Sequence, residues 1–293
     1  MSTYSIRELE KLSGIKAHTI RIWEKRYNII QPKRTETNIR YYSNSDLKKL
    51  LNITILNRQG WKISDIAKLE DKEINRKVRD FSYDSTDIES QIEKLVIAMV
   101  DLDEAKFDQI LSNAILHDGF EQTIINLIFP FFKKIGLLWQ TGSINPAQEH
   151  FVSNLFRQKL MVAIDNLRIA NKENAKKFIL FLPENEFHEL GLLFYSYLIK
   201  KSGHNVIYLG SSVPFEDLLE TSKFIQPDFL FTSITSTFDA KGLKKYIGYL
   251  SSEFSKQTIF ITGRKIHEED IEIPANAEIV SSPLEFKEHL KNF

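Results

Sequence analysis

The sequence predicts a multi-domain α and α/β protein: a small winged helix-turn-helix head, then a four-helix bundle, then a doubly wound parallel sheet. Three observations lead there. Residues 1–78 hold 17 Lys/Arg against 9 Asp/Glu and carry two short helical patterns followed by a hairpin pattern. Residues 87–170 repeat apolar side chains at steps of three and four throughout. From Lys176 onward, short apolar runs alternate with helical ones in the manner of repeated β–α units. The expected domains are 1–75, 76–172 and 173–293.

At 293 residues and 42% hydrophobic, the chain can bury a sizeable core in two or three domains. No apolar run approaches the ~18–20 residues of a membrane span, and no signal-peptide pattern opens the chain. The expectation is therefore a cytoplasmic protein with no membrane partner. With no Cys, disulfides, zinc ribbons and thiol catalysis are excluded. The zero net charge conceals an asymmetry, since the residues after 78 carry 22 Lys/Arg against 30 Asp/Glu. A basic head on an acidic body points to a head that meets a polyanion.

Within the head, Ser5 and Glu8 form a capping-box pattern that starts a helix over Ser5–Leu12, which Gly14 can end. A second helix is expected over Ala17–Tyr27, with Ile20, Trp23 and Tyr27 as its buried stripe and Thr19, Arg21, Lys25 and Arg26 off it. Two helices joined by a tight turn match helix-turn-helix geometry, in which the second helix enters the major groove. Asn38 tolerates positive φ and can turn a hairpin whose tip offers Arg34 and Arg40 to phosphates, with Tyr41 beside them. Asp46 is expected to open the next helix, bearing Leu47, Leu50, Leu51 and Ile55.

The middle segment reads as four helices with short connections. Ile88, Ile92, Leu95 and Met99 mark the first, and Phe107, Ile110, Leu111 and Ile115 the second. A very apolar third helix contains Pro130, expected to kink it. Gly142 breaks the chain before a last helix over Ala147–Arg168. The final segment predicts strands over 176–183, 205–210, 229–233, 258–263 and around 278–280, separated by helices. That alternation implies a Rossmann-like parallel sheet whose ligands lie beyond the carboxyl ends of its strands.

Tyr4-Ser5-Ile6-Arg7-Glu8, Thr19 through Tyr27, and Pro32-Lys33-Arg34 through Arg40-Tyr41-Tyr42 together resemble the winged head of MerR-type regulators. The resemblance implies double-stranded operator DNA as a partner, with Thr19, Arg21, Arg26, Arg34, Arg40 and Tyr41 as candidate contacts. MerR-type heads pair through a helix that follows the wing, here Ile63–Phe81, so a homo-oligomer, dimer or tetramer, is implied.

Glu186-Phe187-His188-Glu189-Leu190-Gly191 is followed after 41 residues by Ser233-Ile234-Thr235 and after 26 more by Thr262-Gly263. This order resembles the vitamin B12 signature of corrinoid-binding domains. It implies cobalamin, as adenosylcobalamin or methylcobalamin, with His188 as the cobalt ligand and Glu186 holding its far nitrogen. Gly191 would let a helix start close to the ring, and Ser233, Thr235, Thr262 and Gly263 would line the slot for the nucleotide tail. The family usually has Asp where Glu186 stands, Leu or Val at Thr235 and Gly at Thr262.

Trp139, followed ten residues later by Glu149 and His150, is similar to the cap over the cofactor's upper face in MerR-type cobalamin photoreceptors. Light-sensing relatives often carry His directly after that Trp. Gln140 stands there, and an amide oxygen is a poor ligand for cobalt(III), which argues against trapping by two histidines. The resemblance implies a transcriptional regulator, a repressor of the light- and cobalamin-responsive kind, and no enzyme. Two alternatives remain at this level. In one, the α/β half has lost the cofactor and acts through a protein partner; in the other, it is a methyl-carrying corrinoid protein, a role in which a DNA-binding head has no place.

Overall fold

The computed structural model describes residues 3–82, 87–139, 145–167, 174–269 and 271–293; for 79–82 and 137–139 only the backbone is described. The chain divides into two compact units, Met1–Asn154 and Leu155–Phe293. Among the described residues no helix is long and apolar enough to cross a membrane.

The first unit opens with strand β1 (Thr3–Tyr4) and helix α1 (Ile6–Ser13), capped at Ser5 by the expected box with Glu8 and closed by Gly14 in the left-handed region. Helix α2 spans Ala17–Tyr27 as expected, with Ile20 and Trp23 buried. Tyr27 is only half-buried, because the helix ends at its turn and leaves one side of the ring outside the core. Strands β2 (Lys33–Arg34) and β3 (Arg40–Ser43) form the wing, and Asn38 turns it at φ 65. With β1 they make a small antiparallel sheet in the order β1-β3-β2.

Helix α3 runs over Asn44–Arg58, two residues earlier than expected. Its true cap is Ser43, and Asp46 is the third-position partner of that capping box rather than the opening residue. The segment read as one helix from Ile63 to Phe81 is two, α4 (Ile63–Ile66) and α5 (Asp71–Ser82). Glu70 takes the place of a cap between them, its N–H donating to Glu73.

The bundle comprises α6 (Ile88–Asp101), α7 (Glu104–Asp118), α8 (Phe120–Thr123) continuing into α9 (Phe129–Trp139), and the start of α10 (Pro146–Asp165). Ile88 lies outside the buried stripe at 41% exposed, since it sits in the first turn, while Ile92, Leu95 and Met99 are fully covered. The irregularity expected at Pro130 takes the form of a π turn over Ile124–Ile128, in which Phe129 N–H reaches back to Ile124. Proline has no N–H and its ring crowds the preceding carbonyls, so the wider turn carries the helix past it. Gln140, Gly142 and Arg168 lie outside the described residues. Helix α1 packs on α9 and α3 on α6.

The second unit begins with the end of α10 and alternates β4 (Lys177–Pro183), α11 (Leu190–Lys201), β5 (Asn205–Val213), α12 (Phe215–Ile225), β6 (Phe229–Ser233), α13 (Ala240–Glu253), β7 (Thr258–Thr262), α14 (Arg264–Glu268), β8 (Ala277–Ile279) and α15 (Pro283–His289). All four strand pairs are parallel, in the order β5-β4-β6-β7-β8. Period-two alternation sends Ile179, Phe181, Leu230, Ile259 and Ile261 into a core with Leu218, Leu243 and Ile247. The opposite face is aromatic, with Phe178 stacked on Phe229 at 4.7 Å and Phe231 and Phe260 edge-on to Phe286. Both faces are therefore covered, as a parallel sheet requires.

In this order the chain reverses direction across the sheet between β4 and β6. The loops leaving those two strands diverge around a crevice, the place where such sheets bind ligands.

Candidate functional site

The crevice is built around one carboxylate. Glu186, three residues beyond β4, is fully buried. Its Oε2 accepts from Thr235 N at 2.9 Å, Ser236 N at 2.8 Å and Thr237 Oγ1 at 3.0 Å, all on the loop after β6. Its Oε1 accepts from His188 Nδ1 at 2.5 Å and from the backbone N–H groups of Phe187 and His188 at 3.1 and 3.2 Å. Burial alone would raise its pKa, but donation from His188, Ser236 and Thr235 outweighs it and holds the carboxyl well below its ordinary range. A carboxylate cannot donate, so Nδ1 carries a proton, and in the neutral form of the ring the lone pair lies on Nε2. The His188 side chain is 61% exposed, on a loop anchored by a buried acid.

The structure brings Glu186, His188 and Thr235 together at the switch point, and adds Ser236 and Thr237, which the motif did not single out. The signal for them was the hydroxyl-rich run Ser233–Thr237, read only for its first and third members. Ser233 and Thr262 are neighbours in register between β6 and β7, and both are buried. Thr262 Oγ1 donates to Val280 O at 2.8 Å. Gly263 has φ 108, and a Cβ there would stand 2.3 Å from Ile234 O, so this glycine serves close backbone approach. A Cβ built at Gly191 meets nothing within 4 Å, so the space beside it is open.

A second chain of contacts adjoins His188. Glu189 pairs with Arg157 at 3.0 Å and accepts from Tyr208 OH at 3.2 Å. Burial and the neighbouring Glu189 push the Tyr208 phenol far up, so it stays a donor. His204 is fully buried, with its Nδ1 accepting from Lys176 N at 3.3 Å, and serves the core.

The first unit holds the other expected residues. The backbone of Trp139 ends α9, and its side chain is outside the described set. Glu149 is half-buried and accepts from Ser153 Oγ at 2.5 Å, while His150 is exposed, 3.7 Å from Glu149. On the head, Arg21, Lys25 and Arg26 project from the outer face of α2, Thr19 is half-buried, and Ile22 beside them is 52% exposed. Arg34 and Arg40 stand directly opposite in the wing register. Arg34 donates to Asn38 Oδ1 at 2.6 Å, and Arg40 lies 3.7 Å from Glu24, which also accepts from Tyr42 OH. Like charges in register repel across a strand pair. A phosphate between them would relieve that repulsion.

Residues 4–73 match the family model of the MerR HTH family regulatory protein, and residues 91–163 match that of a B12 binding domain. The chain thus carries a MerR-type helix-turn-helix domain and a B12-binding domain, the make-up of a transcriptional regulator. The regulator is 28% identical over 245 residues to the HTH-type transcriptional repressor CarH of Myxococcus xanthus, spanning 82% of this chain and 81% of that protein. It is 25% identical over 233 residues to the repressor CarA of the same organism, spanning 79% and 76%. The monomethylamine corrinoid protein of Methanosarcina barkeri shares its fold, with a TM-score of 0.56 at 20% identity over 71% of the regulator and all of that chain. The helix-turn-helix head makes DNA a ligand of the regulator, and its family is one of transcriptional regulators rather than enzymes.

Proposed function

We propose that the regulator is a repressor whose hold on operator DNA is set by cobalamin, taken up as adenosylcobalamin or methylcobalamin. The observation that carries this reading is the clamp on His188. Glu186 accepts a hydrogen bond from Nδ1–H and thereby orients the ring and raises the basicity of Nε2, the arrangement that a ligating imidazole needs. A bound corrinoid would supply a cobalt centre, and His188 Nε2 is the donor that would hold it. Open space at Gly191 and the exposure of His188 fit a planar group at the crevice. Trp139, Glu149 and His150 are proposed to cap its upper face.

On the head, Arg21, Arg26 and Thr19 are proposed for the groove, with Ile22 able to meet a thymine methyl, and Arg34, Arg40 and Tyr41 for the backbone. The cofactor is proposed to favour a dimer or tetramer. Several linked heads on repeated operator sites then multiply affinity without any new contact.

One observation favours a second reading, in which the α/β unit has lost the cofactor and works through a protein partner. Thr262 and Ser233 are buried where the nucleotide tail would lie, and the Thr262 hydroxyl is already engaged by Val280. An absorbance spectrum after incubation with adenosylcobalamin in the dark, then in light, separates the two. Under the first reading the wild type turns red, and His188→Ala weakens uptake tenfold or more while the exposed His267→Ala does not. A wild type that takes up no corrinoid leaves the partner reading.

A further inference from the structure

We propose that the first unit holds a second ligand site, for a small phosphate- or carboxylate-bearing molecule, in the cavity walled by α3, α5, α6 and α7. The cavity measures about 1320 Å³. That exceeds the ~300–1,000 Å³ of ordinary small-molecule clefts, so a metabolite-sized anion fits.

The decisive group is Lys94 on α6. It lines the cavity, yet only 6% of it is exposed. Asp87 and Glu93 attract its ammonium from beyond ion-pair distance, but among the described residues no hydrogen bond or ion pair holds it. The other lysines of this wall behave differently. Lys48 is neutralised by Asp101 at 2.7 Å and Lys49 by Asp71 at 2.8 Å, both pairs partly in solvent. A buried ammonium without a direct partner is costly, and proteins keep one where an anion will meet it or where it shifts its own pKa. Burial, with a smaller contribution from nearby Lys106, lowers the Lys94 pKa more than Asp87 and Glu93 raise it. An entering anion reverses both effects.

The rest of the lining says what is attached to the anionic group. Gln109 and Asn113 offer amides, and Ile97 and Ile110 an apolar wall. Hydrogen-bonding and apolar surfaces beside one enclosed cation suit an organic anion rather than a bare ion. An enclosed charge also selects a small molecule over a polymer. Because α3 and α5 follow the wing while α6 and α7 belong to the bundle, occupancy would tie head to bundle. The site is thus placed to act on DNA binding.

The test is calorimetric titration of the full chain with two probes, pyrophosphate and citrate, at about 0.15 M salt to screen the exposed arginines of the head. Wild type is expected to bind at least one probe saturably at a single site, and the tighter probe identifies phosphate or carboxylate as the source. Lys94→Met should weaken that binding tenfold or more. The same variant without probe should melt no lower than wild type, since it removes an unpaired buried charge, and should bind DNA as before. Saturable binding of neither probe by wild type, or equal binding by Lys94→Met, overturns the proposal.

Discussion

Replacing Glu186 by Ala removes the carboxylate that joins the loop after β4 to the loop after β6. Seven donors lose this acceptor: Thr235 N, Ser236 N, Ser236 Oγ and Thr237 Oγ1 from one loop, and Phe187 N, His188 N and His188 Nδ1 from the other. A buried donor left unpaired costs ~1–3 kcal/mol. Ser236 and His188 are exposed enough for water to replace the acid, which leaves mainly Thr235 and Thr237 to bear the loss. The expected destabilisation is therefore about 3 kcal/mol, in the range for breaking a buried polar network. Glu186→Gln keeps one acceptor oxygen and should cost about half as much.

The three tryptophans, Trp23, Trp61 and Trp139, all lie in the first unit, whereas this change falls in the second. Hydrogen exchange over Lys177–Pro183 and Phe229–Ser233 reports it directly. The pH dependence follows from the sign of the shift. Glu186 has a depressed folded pKa, so its contribution is intact above the ordinary value of 4.5 and fades as pH falls toward the folded value. Opening energies in the Ala variant within about 1 kcal/mol of wild type, or unaltered acid sensitivity, would refute the clamp as the organiser of the crevice.

Gly263→Ala forces a methyl onto the backbone of Ile234 at a φ that side chains avoid, and Ile234 is held by hydrogen bonds to Thr262 O and from Lys265 N. A loss of roughly 3 kcal/mol or more is expected in urea unfolding of the second unit, and a loss below about 1 would show that β7 can shift. Glu93 on α6 is fully buried 3.1 Å from Arg58, and its pKa is pushed up to about 7 because burial outweighs the attraction of Arg58 and Lys134. Stability of the first unit should therefore fall by about 3 kcal/mol as pH rises from 4.5 through 7, and Glu93→Gln should flatten that profile in thermal melts. Arg40→Ala should lower the salt slope of operator binding by roughly one while barely moving the melting temperature. An unchanged slope assigns Arg40 to Glu24 alone.

Much of the fold was legible in the chain because burial leaves a period. The Ile20–Trp23 spacing marked α2 to its ends, and the runs at 177–183 and 229–233 marked strands that are dry on both faces. Local chemistry was nearly as readable, since Ser5 with Glu8 and Asn38 at the wing act within a few residues. The start of α3 was misplaced because Ser43 and Asp46 are both cap residues, and only geometry tells the cap from its third-position partner. The break between α4 and α5 was missed because Ile63, Ile66, Leu69 and Ile74 sustain an apolar rhythm across it.

The site divided along the same line. The Glu186-Phe187-His188 segment was recognisable because an acid two residues from a histidine can reach its ring without help from the rest of the chain. What lies on the other side of that acid was decided only by tertiary structure. Ser236 and Thr237 are 50 and 51 residues away. They reach Glu186 because β6 pairs with β4 on the side opposite β5, so that two loops leave adjacent strands at the point where the winding reverses. Strand order is a property of the packed sheet, set by the sum of long-range pairings, and no local pattern in the sequence encodes it.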